Sequence, residues 1–275
     1  MNSKNLVNSQ GQPLTVEQAI HNLRQTDDPS LRYYAAWWLG RFRISQPDAI
    51  AALVQALDDE TDRAPDGGYP LRRNAARALG KLGNLDVLPS LISCLDCSDY
   101  YVREAAVQAL ESLNDASCVP NLRQMLAGGV EAAVPIAGKP HLAQPYNAIL
   151  EALGTLGAIE AVPEIQPFLT HERPQIQNAA ARAMYQLTGE TAFCEHLMAR
   201  LQGDNLQLRR SALMDLGAVG YLPAADAIAS TPAENSLKLI ALQGILETHL
   251  KSTEYPSVSL SAEARRVMQL MDGLL

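Results

Sequence analysis

The stretch LRRNAARAL, residues 71–79, decides the fold because its pattern returns along the chain. An apolar residue opens the stretch, a basic residue usually follows, and another apolar residue stands eight positions after the first. Six further copies carry the pattern, the last two weakly: LRYYAAWWL from Leu31, VREAAVQAL from Val102, IQNAAARAM from Ile176, LRRSALMDL from Leu208, PYNAILEAL from Pro145 and LKLIALQGI from Leu237. Seven copies in register indicate a repeat protein.

The spacing of the copies predicts the repeating unit. Successive copies begin 29 to 32 residues apart, except for two intervals of 40 and 43 residues. Positions 1, 5, 9 and 12 of each copy share one helical face and are apolar in nearly every copy. Glycines such as Gly83 fit a left-handed helix cap, and prolines such as Pro89 fit the start of the next helix. Each unit is therefore predicted to be helix, tight turn, helix.

A single helix pair cannot bury its apolar face, whereas a stack of pairs can. We therefore predict the all-α class, with an α-solenoid of HEAT/armadillo-like helical repeats over residues 14–250. Residues 1–13 are predicted to be a flexible N-terminal segment, and residues 251–275 a linker and a C-terminal helix. That last helix is expected either to fold back on the last repeat or to clasp a partner chain.

Composition and charge exclude several classes of protein. The 275 residues are 47% hydrophobic and 19% charged, which supports an ample core and argues against disorder. The net charge of −8 argues against a nucleic-acid partner. Four cysteines are too few for a disulfide framework, and the lone CxxC at Cys94 and Cys97 predicts no metal site. The polar start and the lack of a long apolar run predict a cytoplasmic protein with no membrane insertion.

Two insertions interrupt the array, near residues 58–70 and 127–144. Both contain glycine and proline, so both are expected to be loops. Two interpretations remain open. The insertions are either tolerated surface loops, or they emerge on one edge of the array and rim a binding groove.

Comparison of the copies with one another singles out the first one. Positions 3 and 7 are mostly polar elsewhere and are expected to be exposed, whereas positions 4 and 8 are mostly small. The first copy instead places four aromatic residues there: Tyr33, Trp37, Tyr34 and Trp38. Exposure of that much aromatic surface is unfavourable unless something covers it. The rings therefore cap the array against the N-terminal helix, face a partner protein, or stack on a flat conjugated ligand.

Three polar features are candidates for chemistry. Asp215 stands where other copies have alanine, and it either pairs with nearby Arg209 or Arg210, or holds ligand nitrogens and transfers a proton. His141, in the second insertion, is a candidate for proton transfer. The basic residues at position 2 of the copies are expected to be structural, pairing with acids such as Asp28 or Asp99, with an anion clamp as the alternative.

The run SLRYYAAWWLGRFR, residues 30–43, closely resembles the first-repeat signature of the E subunits (alpha chains) of heterodimeric E/F-type phycobilin lyases. The resemblance continues through GGYPLRRNAARALGKLG, residues 67–83, and through LQLRRSALMDLGAVGYLPAA, residues 206–225. It spans nearly the whole chain and includes the insertions. The HEAT motifs alone are generic, whereas the tyrosine-tryptophan run is particular.

The resemblance implies a function that the residues alone do not give. Such a subunit pairs with an F-type lyase subunit, binds phycocyanobilin as its substrate without a prosthetic group, and delivers it to the phycocyanin α-subunit. A cysteine thiol of that acceptor adds to the ethylidene group of ring A and forms a thioether. The alternatives are a non-enzymatic HEAT scaffold or adaptor, and a bilin carrier or chaperone.

The resemblance also gives roles to residues of this chain. Those expected to contact the bilin or the partner are Tyr33, Tyr34, Trp37, Trp38, Tyr69, Arg73, Arg77 and Arg210. Asp215 is expected near the pyrrole nitrogens, with His141 as a second candidate for catalysis.

Overall fold

The computed structural model describes residues 14–61, 63–65, 67–252 and 260–275. The predicted flexible segment 1–13 and residues 253–259 of the predicted linker lie outside the described residues. Within the described residues the regular elements are helices, apart from one isolated bridge between Pro135 and Leu142. The predicted all-α class of stacked helical repeats is therefore confirmed. No helix in these described ranges is long and apolar enough to cross a membrane.

The chain forms two compact units, the first ending at Leu156 and the second beginning at Gly157. The first contains α1 (Val16–Arg24), α2 (Pro29–Arg41), α3 (Pro47–Leu57), α4 (Pro70–Leu82), α5 (Leu88–Ser93), α6 (Tyr100–Leu113), α7 (Val119–Gln124) and α8 (Tyr146–Thr155). The second contains α9 (Val162–Ile165), α10 (Pro174–Thr188), α11 (Thr191–Arg200), α12 (Leu206–Val219), α13 (Ala225–Ser230), α14 (Asn235–Ser252) and α15 (Ala262–Asp272). The single array expected over residues 14–250 stays a prediction.

Each copy of the repeat pattern lies on a long helix, and the long helices of a unit pack side by side. In the first unit α2, α4, α6 and α8 follow one another, while α1, α3, α5 and α7 pack beside them. Asp28 and Asp99 cap α2 and α6 by accepting hydrogen bonds from backbone amides. Gly83 ends α4 in the left-handed conformation, at φ +73°, as predicted.

The second unit repeats this arrangement and adds the C-terminal helix. Its long helices α10, α12 and α14 pack in order around buried leucine, isoleucine and alanine side chains. Helix α15 packs on α13 and α14. Arg266 of α15 pairs with Asp226, and the carbonyl of Leu274 accepts a hydrogen bond from Asn235. The C-terminal helix therefore folds back on the last repeat of its own chain.

Glycine lets neighbouring long helices touch through their backbones. A Cβ built on Gly217 of α12 would lie 2.5 Å from Cα of Ala241, and one on Gly80 of α4 would lie 2.7 Å from Cα of Ala109. Real Cβ atoms do not approach backbone this closely. The close approach of α12 to α14 therefore requires glycine at position 217.

We expect Gly217→Ala to lower the free energy of unfolding by about 1–2 kcal/mol. Overpacking a tight core typically costs about 1–3 kcal/mol, which outweighs the gain of about 1 kcal/mol from replacing a helical glycine by alanine. Gly203→Ala is the control, because the nearest heavy atom to its new Cβ would be 3.4 Å away. Urea unfolding of both variants checks the prediction, and equal stability of the two would contradict it.

Candidate functional site

The four aromatic residues of the first copy lie on α2 and are all half-buried. Trp37 stacks on Tyr34, with ring centroids 5.6 Å apart and planes inclined by 29°. Trp38 packs against Phe42 at 5.0 Å, and Phe42 is 50% exposed. The hydroxyl of Tyr34 is buried without a hydrogen-bond partner in the described part of the chain, and burial raises the pKa of Tyr34. Each ring is thus partly covered by its own unit and partly open.

The first insertion is organised around Tyr69, which is only 8% exposed. The guanidiniums of Arg63 and Arg72 lie over its ring, 4.4 and 4.3 Å from the centroid. Arg63 also donates to the Tyr69 hydroxyl at 2.6 Å, and the Tyr69 amide donates to the Asp99 carboxylate at 2.7 Å. A ligand stacked on this ring would have to compete with two cations. The contacts therefore favour a role for Tyr69 in holding the insertion, and its contact with the bilin or the partner stays a prediction.

The second insertion forms a short hairpin that is anchored by Arg103. The amide of Ala143 donates to the carbonyl of Val134, which pairs the two arms. Arg103 donates to the carbonyl of Cys97 at 2.6 Å, to the carbonyl of Ala143 at 2.8 Å and to Gln144 at 2.9 Å. Burial lowers the pKa of Arg103, and nearby Cys97 and Asp99 act in the opposite sense. The anchor therefore fixes the base of the hairpin on α6.

The basic residues at position 2 of the copies have a structural role, as the favoured interpretation expected. Arg32 pairs with Asp59 at 2.5 Å and Arg72 with Glu60 at 3.4 Å, which confirms the predicted pairing with acidic residues for these two. The basic residues of this position also bind carbonyls at the ends of preceding helices, which otherwise lack partners. These bonds join Arg32 to Leu23, Arg72 to Asp58 and Asp59, Arg103 to Cys97, Arg209 to Gly203, and Lys238 to Ala229. The predicted partners Asp28 and Asp99 instead accept from backbone amides, because both cap helices.

The two insertions line one cleft in the first unit. The cleft measures about 560 Å³, and its walls come from both insertions and from the start of α6: Gly67, Gly68, Ser98, Asp99, Tyr100, Tyr101, Arg103, Ile136, Gly138, Lys139, Pro140, His141 and Ala143. His141 stacks on Tyr100 with ring centroids 4.1 Å apart and planes inclined by 11°, and the edge of Tyr101 lies 5.8 Å away. This arrangement supports the interpretation that the insertions rim a binding groove.

A second concave surface lies between α4 and α6 and carries two cations. It measures about 360 Å³ and is lined in part by Arg77, Lys81, Gln108 and Ser112. Arg77 is exposed, as predicted for its position. The surface therefore offers positive charge to an anionic group.

Arg73 and Glu104 stand beside this surface at position 3 of their copies. Arg73 is half-buried rather than exposed, and its guanidinium lies 5.8 Å from the ring centroid of Tyr101. Burial raises the pKa of the Glu104 carboxyl, while Arg77, Arg73 and His141 lower it. Glu104 thus lies within the electrostatic field of both the basic surface and His141.

Asp215 lies in the second unit and is 5% exposed, between α10 and α12. Its partner is Arg182 of α10, 3.8 Å away, and Ser211 donates to it at 3.2 Å. The prediction that Arg209 or Arg210 pairs with Asp215 was wrong, because both guanidiniums bind other groups. Arg209 binds loop carbonyls and Arg210 pairs with Glu234. Burial raises the pKa of Asp215 to about 6, and Arg182 and Ser211 lower it only in part.

Another departure from the expected pattern lies next to Arg182 on α10. Asn178 was expected to be exposed at position 3 of its copy, but it is 0% exposed. Its side-chain amide has no hydrogen-bond partner within the described ranges. Asn178 and Arg182 are one turn apart on α10, so they belong to one polar stripe that faces the packed interior. Arg73 and Glu104 are half-buried at the same position of their copies, so the predicted exposure of position 3 fails in several copies.

The cysteines do not form a reactive centre. All four are free thiols, and burial raises the pKa of both Cys94 and Cys194 to about 12. Thiols with such pKa values stay protonated and unreactive at neutral pH. In the portions of the chain that the structure describes, no group of three histidine, cysteine or acidic side chains is placed to hold a metal ion.

A family model of HEAT repeats matches residues 16–111, 61–135 and 130–217. A relative named phycocyanobilin lyase subunit alpha, from Picosynechococcus sp., is 59% identical over 95% of this chain and 96% of its own. A relative of the same name from Nostoc sp. is 60% identical over 96% of this chain and 95% of its own. The chain belongs to the family of phycocyanobilin lyase alpha subunits. A chain in the solved complex of CpcE and CpcF of phycocyanin lyase from Nostoc sp. PCC7120 matches with a TM-score of 0.88, 56% identity and complete coverage of both chains.

In this member of the phycocyanobilin lyase alpha-subunit family, the predicted site residues are divided between the two units. Asp215 and Arg210 lie in the second unit, and the other eight lie in the first. His141 lines the cleft, whereas the aromatic residues of α2 are absent from its lining. Sequence reasoning missed Tyr100 and Glu104 as neighbours of His141. The sequence does carry a signal for Tyr100, because Tyr100 and Tyr101 are adjacent tyrosines, as Tyr33 and Tyr34 are.

Proposed function

We propose that this chain is the alpha subunit of a lyase that attaches phycocyanobilin through a thioether to a cysteine of the phycocyanin α-subunit. It acts with an F-type partner subunit, and its contribution is to bind and position the bilin. The observation that carries the proposal is the identity of 59–60% to alpha subunits of phycocyanobilin lyases over nearly the full length of each chain.

The surfaces of the first unit fit this chemistry. A thiol adds to an activated alkene with little covalent help, so catalysis depends on positioning and on exclusion of side reactions. The partly open rings of Trp37 and Trp38 offer flat contacts to a conjugated pigment or to the partner subunit. Arg77 and Lys81 offer charge to the bilin propionates, and Arg73 stands nearby.

We further infer that the reaction takes place in the cytoplasm and that phycocyanobilin is a bound substrate, handed on rather than retained as a prosthetic group. All four cysteines are free thiols, which suits a reducing compartment. A subunit whose product leaves on another protein must release its pigment. Asp215 remains a proposed catalytic residue near the pyrrole nitrogens, and Arg210 a proposed contact of the bilin or partner. Their observed partners are Arg182 and Glu234.

An absorption experiment tests the proposal against the two alternatives. The purified chain is mixed with phycocyanobilin, alone, with the F-type subunit, and with both subunits plus the phycocyanin α-subunit. A shifted and strengthened visible band that becomes covalent only with the acceptor supports the lyase. A band that never becomes covalent indicates a bilin carrier. No band under any condition indicates a scaffold.

Trp37→Ala is expected to lower the yield of pigmented acceptor, or of the heterodimer, by about tenfold, because an aromatic anchor contributes on the order of 1–2 kcal/mol. The helical content should stay unchanged, since Trp37 is only half-buried. Trp37→Phe is the matched control, because it keeps a ring that can stack on Tyr34. Normal pairing and full transfer by Trp37→Ala would remove this residue from the site.

A further inference from the structure

We propose that the cleft between the two insertions is the place where the thioether forms, with His141 as the catalytic residue that moves the proton. This inference rests on the proposed function and adds to it a location and a residue. The bond change is an addition of a thiol across an alkene, which requires one proton to leave sulfur and one to reach carbon. An acid-base group beside the reacting atoms therefore has a defined task.

The cleft is built before any ligand arrives. The first insertion is fixed at its end by the bond from the Tyr69 amide to Asp99, which also caps α6. The second is fixed at its base by the three hydrogen bonds of Arg103. Side chains held by such contacts keep a geometry that chemistry can use. Both insertions interrupt the repeat, and they meet at the same site.

The size of the cleft suits part of a bilin and a cysteine side chain together. Its volume of about 560 Å³ falls within the range of ligand sites, roughly 300–1,000 Å³. The stacked rings of Tyr100 and His141 form a flat wall, and Tyr101 stands at its edge. Lys139 and Arg103 place positive charge on the lining, which favours a ligand that carries carboxylates.

The hydrogen bonding of His141 leaves one ring nitrogen for chemistry. Nδ1 lies 2.8 Å from the carbonyl of Leu142, so Nδ1 carries the hydrogen and donates it. In the neutral ring Nε2 is then the basic nitrogen. The imidazole is held by its stacking on Tyr100 and by this backbone bond, which are the constraints that a general base needs.

Charged groups of both signs surround His141. Glu104 of α6 interacts electrostatically with it, and Asp99 lies in the same cleft. Arg103 of α6, Lys139 of the hairpin and Arg73 of α4 act in the opposite sense.

The proposed step is balanced without any further reactant. The acceptor thiol gives its proton to Nε2 of His141, and the sulfur electron pair forms the new bond to the exocyclic ethylidene carbon of ring A. The π electrons of that double bond move toward the ring carbon, which takes the proton back from Nε2. One C–S bond and one C–H bond replace the S–H bond and the π bond, and His141 returns to its neutral form.

Other acid-base groups of the chain are less accessible than His141. Asp215 is 5% exposed and is engaged by Arg182 and Ser211. The Nε2 atom of His196 is buried, and burial lowers the pKa of His196. His141 lines an open cleft, which a substrate can enter.

The test uses the complete system of both subunits, phycocyanobilin and the phycocyanin α-subunit. His141→Ala is expected to slow covalent attachment by about 100-fold at pH 7, the lower end of what general acid-base catalysis contributes. Bilin binding is followed in parallel by the visible band of the heterodimer, and rates are compared at saturating bilin, because the ring of His141 also forms part of the cleft wall. Added imidazole should restore part of the rate. The deficit should narrow above about pH 8.5, where the acceptor thiol ionises unaided.

Two further variants separate catalysis from packing. His141→Phe keeps a ring that stacks on Tyr100 but cannot move a proton, so it should be as slow as His141→Ala. His21→Gln, at an exposed position of α1, should keep the wild-type rate. Wild-type rates for His141→Ala, or recovery by His141→Phe, would overturn the inference and leave the proposed function standing. If the wild-type system itself attaches no pigment, the proposed function fails as well.

Discussion

Arg103→Met is expected to lower the free energy of unfolding by about 3 kcal/mol and to release the second insertion. Arg103 donates three hydrogen bonds, to Cys97, Ala143 and Gln144, and hydrogen bonds from a charged donor contribute about 1.5–3 kcal/mol each. The energies of the three hydrogen bonds do not simply add. The substitution leaves the carbonyls of Cys97 and Ala143 without the guanidinium as a donor. Methionine keeps the aliphatic stem, so the change isolates the guanidinium.

The release of the insertion has a functional consequence that can be measured separately. Residues 134–143 form one wall of the cleft, so covalent attachment of bilin should fall together with stability. Limited proteolysis should cut the variant within residues 127–144, where the wild type resists. Arg41→Met is the control, since Arg41 is exposed at the end of α2. An Arg103 variant within about 1 kcal/mol of the wild type and equally resistant to protease would contradict the assigned anchor.

Asp215→Asn is expected to stabilise the protein at neutral pH and to flatten its dependence on pH. Burial raises the pKa of Asp215 from 3.8 to about 6 in the folded state. Between about pH 4 and 6 the folded state holds a proton that the unfolded state has lost. The stability of the wild type therefore falls as the pH rises through this window, by about 3 kcal/mol in total. Asparagine carries no such titration and keeps an oxygen for Ser211.

The measurement is urea unfolding at several pH values between 4 and 7.5, with Asp204→Asn as an exposed control from the same unit. The stability gap between Asp215→Asn and the wild type should widen by about 3 kcal/mol across that range. A gap that stays constant with pH would refute the raised pKa. Attachment assays on the same variant distinguish the two roles: a wild-type rate assigns Asp215 to the ion pair with Arg182, and a large loss assigns it to the bilin.

The repeat was predictable from the sequence because its determinants are local. The apolar face of each copy, the prolines at helix starts and Gly83 act through helix geometry alone, and the structure places them as expected. The partners of the basic residues were not predictable in the same way. Arg32, Arg72 and Arg103 bind carbonyls whose positions depend on how a loop returns to the next helix. The spacing of residues along the chain does not determine the path of that loop, so it does not predict where these carbonyls lie.

The candidate site was predictable only in part, because it depends on contacts across long stretches of sequence. The insertions were visible as interruptions of the period, and His141 was visible as a histidine within one of them. Their meeting at one cleft required the structure, because Gly67 and His141 stand in different repeats. Asp215 was visible because it stands at position 8, where other copies have alanine. Its partner Arg182 lies on the preceding long helix, 33 positions earlier.

Covalent pigment on the acceptor tests the central claim most directly. The chain, the F-type subunit, the phycocyanin α-subunit and a source of phycocyanobilin are expressed together, and the acceptor is then separated under acid denaturation. An acceptor whose cysteine is replaced by serine controls for trapped pigment. The proposed function predicts covalently pigmented acceptor only when this chain and the F-type subunit are both present. Equal covalent pigmentation without this chain, or none with the complete set, would contradict it.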